Sequence, residues 1–276
     1  MAKFFGFVQF DFAGTLPLTD GRYLLGEPES GEETVLVLQR LGAPPLGERR
    51  RRRRRPAEAD PEPAALALAR ATVIRAATPF ESQADAARWL DETCEAEETV
   101  EVLAVEAAAI LNRALHAQAV AAADPYGRQL VPEQAERVLL GYGSGEETAD
   151  SRFTDARQVD PIPRSSSRRR QREEELRPQE RVAAVLRGRE QLDACETLLL
   201  RARADLDAGR TREAALQLRV GLEALLAELD GAVDDPGHGK DLATLREHQA
   251  AEQPAPTEET LEICERVLRR RRVLNS

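Results

Sequence analysis

Three histidines (His116, His238 and His248) and three cysteines (Cys94, Cys195 and Cys264) are the side chains of this 276-residue chain best suited to nucleophilic, acid–base or metal chemistry. Such chemistry needs these groups at set spacings, because one or two elements must deliver the ligand or proton-transfer geometry. Here the cysteines are far apart and never in C-x-x-C order, and the three histidines are spread across different elements. Gly141-Tyr142-Gly143-Ser144-Gly145 has the glycine density of a phosphate cradle, which turns successive backbone N–H groups on an anion. Yet Glu146 and Glu147 follow at once, no Lys-Ser/Thr comes after, and the third glycine is one residue too early for G-x-G-x-x-G. A hairpin turn is the expectation. No catalytic, cofactor-binding or metal residue is expected, and an enzyme site joining His116 to the 141–147 loop stands as one alternative.

Charge segregation rises above this background. Seven arginines run from Arg49 to Arg55, and residues 164–181 hold seven arginines against four glutamates. The C-terminal stretch adds Arg266 and Arg269–Arg272, whereas residues 81–106 hold nine acidic residues and only Arg88 as a base. Arg49, Arg50, Arg51, Arg52, Arg53, Arg54 and Arg55, with Arg168, Arg169 and Arg170, are the candidate contacts to nucleic-acid phosphate or an acidic partner. No aromatic side chain interleaves these runs, which removes stacking on single strands. The competing expectation is solvated linker, neutralised in part by the acidic stretch. All but Lys3 and Lys240 of the 39 basic residues are arginine, and the chain is rich in alanine, so part of the arginine content reads as genomic GC bias.

The bulk numbers bound the rest. A net charge of -10 argues against a dedicated nucleic-acid coat. The odd, scattered cysteines argue against a disulfide framework, and no run approaches a membrane span, so a cytoplasmic protein is expected. Aromatics are 4% of residues, and five of the seven Phe lie within the first twelve positions. Elsewhere packing must rely on Ala, Leu and Val, which suits helices.

An α+β fold is therefore expected, with a small N-terminal β meander, two central helices and an all-α C-terminal bundle. Phe4, Val8, Phe10 and Phe12 alternate with Gln9 and Asp11, a period of two that presents one apolar face. Further strands are expected at 22–25, 34–41 and 66–77, with helix as the alternative for the last. Helices are expected at 81–93 and 98–123, the latter turning Val102, Val105, Ala109, Leu111 and Leu115 inward. A hairpin of 136–142 with 148–159 follows. The domain reading is a meander at 1–43, a Pro/Arg linker at 44–63, the rest of the N-terminal domain at 64–160, a second linker at 161–178 and a bundle at 179–276. Bundle helices are expected near 179–207, 211–230, 239–250 and 257–273.

Leu218, Leu222, Leu225 and Leu229, with Leu226, recur at three- and four-residue spacing and form the candidate helix interface. Leu192, Leu199, Ala202 and Leu206 offer the facing stripe across a turn at Gly209. Through Ala202, Leu206, Gly209, Glu213, Ala214 and Leu218 this hairpin resembles one tetratricopeptide-type unit; no second copy follows at a 34-residue offset. The family's aromatic positions are missing, and a generic bundle hairpin is the stronger expectation. The four-helix count is similar to that of HEPN-type bundles, but their arginine–histidine cleavage motif is missing. The functional expectation is a non-enzymatic interaction or adaptor protein that binds a protein partner or self-associates through its C-terminal helices. Nucleic-acid association through the arginine runs is the second alternative.

Overall fold

The computed structural model describes residues 3–26, 33–42, 67–160, 181–228, 236–250 and 257–274. The chain divides into two compact units, Met1–Ser165 and Ser166–Ser276. The fold is α+β, with a six-stranded antiparallel sheet in the first unit and helices throughout the second.

The sheet contains β1 (Phe4–Ala13), β2 (Gly21–Gly26), β3 (Glu33–Leu41), β4 (Leu68–Ile74), β5 (Ala135–Ser144) and β6 (Asp155–Val159), in the spatial order β2-β3-β4-β1-β5-β6. The first three strands do not lie side by side as a meander would place them. β2 and β3 form a hairpin, but the Phe-rich β1 is drawn to the sheet centre between β4 and β5. A strand that is apolar on both faces is stable only where both faces are covered. On one face Val8, Phe10 and Phe12 pack with Leu36, Leu38, Ala71, Val73, Val138, Leu140 and Tyr142. Two helices cover that face, α1 (Gln83–Glu95) and α2 (Glu97–Ala121). Ser82 starts α1 by accepting the Asp85 backbone N–H at 3.1 Å.

α2 buries Val100, Leu103, Ala104, Ala107, Ala108, Leu111 and Leu115. Val102, Val105 and Ala109 instead face outward, correcting the expected phase. The alanines decide it, because a row of small side chains lets a helix lie close on a sheet of large ones. The residues expected as a simple turn and return strand at 143–159 are also different. A short helix, α3 (Gly145–Ala149), follows β5 directly, and the return strand begins only at Asp155.

The second unit holds α4 (Ala194–Asp207), α5 (Thr211–Glu228), α6 (Pro236–Ala250) and α7 (Thr257–Leu274), preceded by a helical run over 181–186. α4 ends where Gly209 takes φ +72°. The Gly209 N–H donates to Leu206 O at 2.9 Å and the Arg210 N–H to Asp205 O at 2.8 Å, the paired bonds of a left-handed helix stop. The chain then reverses into α5. Cys195, Leu199 and Ala202 of α4 meet Leu218, Leu222 and Leu225 of α5, and Leu245, Leu261, Cys264 and Val267 close the same core. Gly221 permits the close α4–α5 contact, since a Cβ there would sit 3.1 Å from Leu199 Cδ2. Leu192 lies outside this stripe, exposed ahead of α4.

Candidate functional site

The odd positions of β1 point to the sheet face opposite α1 and α2, and there the polar residues are buried. Asp11 is 4% exposed, Gln9 1% and Thr72 1%. Register places Asp11 opposite Arg70 on β4 and Arg137 on β5, beside a register slip between Asp11 and Phe12. Arg70 Nε and Nη2 donate to the two Asp11 oxygens at 2.7 and 3.0 Å, a bidentate fork. Arg137 adds two bonds to Asp11 Oδ2, at 3.1 and 2.7 Å. Burial alone would raise the Asp11 carboxyl, but the hydrogen bonds and charges of Arg70 and Arg137 outweigh it and hold it below the usual aspartate range. One row along, Thr72 Oγ1 donates to Gln9 Oε1 at 3.2 Å, while Gln9 Nε2 has no acceptor among the described residues.

The segment 145–154 straps this face. Phe7, Val37, Ile74 and Ala149 form a small core, with the Phe153 ring stacked on Phe7 at 4.2 Å. Polar contacts hold the far end of the strap: Ser151 Oγ donates to Gln39 Oε1 at 2.7 Å, and Arg22 pairs with Asp150. Ser151 takes φ +59°, a left-handed conformation costly for a residue with a side chain.

The glycines of 141–145 serve this strap rather than a phosphate. A Cβ on Gly141 would stand 2.5 Å from Asp155 O and 2.6 Å from Phe7 Cζ, and one on Gly143 would stand 2.5 Å from Thr148 Oγ1. Gly141→Ala is expected to destabilise the sheet unit by about 1–3 kcal/mol, the usual cost of overpacking. A denaturant melt reports it.

In the helical unit, Asp193, Cys195 and Glu228 bring ligand-type atoms within 4.8 Å of one another. Both carboxylates already face other partners. Glu228 accepts the Ala194 and Cys195 backbone N–H groups, both at 3.1 Å, so it caps α4 from the neighbouring helix. Bonding to Cys195 is the leading cause of the lowered Glu228 carboxyl. Arg271 lies 2.8 Å from Asp193. Burial pushes the Cys195 thiol up to about 12, with the Glu228 carboxylate adding to the effect, which disfavours the thiolate a metal would need. The trio reads as a helix cap.

Other positions singled out by the sequence scatter. His116 is exposed on α2; of the 141–147 residues paired with it, Gly141–Ser144 belong to β5, whose Tyr142 packs on the α2 face, while Gly145–Glu147 begin α3 on the opposite face. His248 bonds Thr260 Oγ1 at 2.8 Å. His238 is buried, with both ring nitrogens lacking partners among the described residues. Leu218, Leu222 and Leu225 line the contact between helices of their own unit, and Leu229 lies outside the described residues. Arg49–Arg55 and Arg168–Arg170 lie outside them as well. Of the C-terminal arginines, Arg266 and Arg270 pair with Asp241, at 3.0 and 2.7 Å. Those charges tie α7 to α6.

The helical unit also carries apolar side chains that its core does not use. Leu216 is 59% and Val220 52% exposed, one turn apart on the side of α5 opposite Leu218 and Leu225. Leu200 on α4 is exposed, and Val182 and Leu186 repeat the one-turn spacing over 181–186. The sequence signal was present in these residues, but the strength of the inward stripe masked it. No helix among the described residues is long and apolar enough to cross a membrane. Comparison with protein-family models, with curated proteins and with solved structures gives no match to this chain.

Proposed function

We propose that this is a non-enzymatic interaction protein whose helical unit associates with a protein surface, either another copy of the chain or a different protein. The observation that carries the reading is the outward pair Leu216 and Val220. A single exposed leucine means little, but two apolar side chains one turn apart form the kind of anchor by which a helix lies in an apolar groove. The inward stripe of the same helix is consumed by its own unit, so association would leave the fold intact. The ion-paired Arg266 and Arg270 act as internal ties, which leaves the nucleic-acid reading to the two arginine runs of the linkers.

The test is capture by the tagged full chain from lysate containing an untagged second copy, with nuclease-treated and untreated arms run in parallel. Retention of the same proteins, or of the second copy, in both arms is expected. Loss of all bound material after nuclease would overturn the reading in favour of nucleic acid.

A further inference from the structure

We propose that the strapped face of the sheet binds a small oxyanion, a carboxylate or phosphate group, between Gln9, Arg70 and Arg137. Donors outnumber acceptors at this group. Two guanidiniums converge on the single carboxylate of Asp11, and no other carboxylate bonds either of them among the described residues. The group therefore carries an excess positive charge on a face where Gln9 and Thr72 are fully buried. Gln9 lies two residues along β1 from Asp11, hence on the same face, and its side-chain nitrogen is a buried donor with no acceptor among the described residues. An orphaned buried donor costs free energy that a ligand oxygen would recover. An oxyanion satisfies both features together, supplying the missing acceptor and the missing negative charge.

Access is also built in. The Arg137 side chain is 40% exposed, so its side of the group reaches solvent, whereas Arg70, at 16%, is largely covered. Beside this group the strap is held at Gln39, the β3 neighbour of Arg70, by the part-buried Ser151–Gln39 bond, and by the exposed Arg22–Asp150 pair, with Ser151 in a strained conformation. An exposed ion pair such as Arg22–Asp150 holds weakly. Phe153 on Phe7, with the buried Thr148 and Ala149, keeps the body of the strap in place.

The experiment is isothermal titration of the full chain with inorganic phosphate and, separately, with acetate, using chloride at matched ionic strength as the reference. Saturable binding of at least one oxyanion is expected, and the two arms tell phosphate from carboxylate. Gln9→Met and Arg137→Gln should each weaken it by about tenfold or more, the worth of a hydrogen bond to a charged group. Circular dichroism should show both variants folded. Arg137 is the more exposed, so its variant decides the matter if Gln9→Met does not fold. Absence of saturable binding by either anion, or affinity unchanged in Arg137→Gln, overturns the proposal.

Discussion

Asp11→Ala is expected to destabilise the sheet unit by about 3–5 kcal/mol, the usual effect of removing one partner from a buried ion pair. The loss falls chiefly on Arg70, whose guanidinium is left largely buried with its bidentate partner gone, whereas Arg137 can turn toward water. Arg137→Ala should accordingly cost much less. The same group sets a pH dependence. The Asp11 carboxyl titrates lower in the folded chain than in the unfolded one, so the unfolded chain takes up its proton first as pH falls. Its contribution is complete above the ordinary aspartate value of about 3.9 and is lost as pH drops through the lower folded value. Denaturant melts of wild type and Asp11→Ala should therefore differ most near neutrality and converge in strong acid. A gap that widened with acidification would contradict the assignment.

The second large effect is expected in the helical unit. Leu225 is fully buried where α5 meets its neighbours, and Leu225→Ala should cost about 2–5 kcal/mol through lost burial and the cavity left behind. Leu216→Ala, on the opposite side of the same helix, should fall within about 0.5 kcal/mol of wild type, as surface substitutions do. Thermal or denaturant unfolding of the two variants side by side measures the contrast. Equal losses would mean that the inward and outward sides of α5 have been assigned wrongly.

How far the sequence speaks depends on whether a pattern is local. The stripe from Leu218 to Leu225 is legible because a helix repeats every 3.6 residues, and its partner lies just across the Gly209 stop. Strand β1 is equally legible as a strand. Its place at the sheet centre is not, because order in a sheet depends on long-range pairing. Gln9 and Asp11 read as a solvent-facing polar edge from alternation alone. Phe5 and Phe7 share their parity and were the sign that this face, too, would be covered. On α2, β-branched Val102 and Val105 suggest an inward face that the alanines at 104, 107 and 108 win through close packing. The α4 cap by Glu228 spans 33 residues of chain and leaves no mark on local spacing. The arginine runs stand out in composition, but composition alone does not assign them a contact.

The most direct test of the functional account compares the tagged wild-type chain with a Leu216→Glu/Val220→Glu double variant in capture from nuclease-treated lysate supplemented with an untagged second copy. The account predicts that the variant melts like wild type yet retains far less of the second copy or of the lysate proteins. Undiminished retention by a folded variant would contradict it.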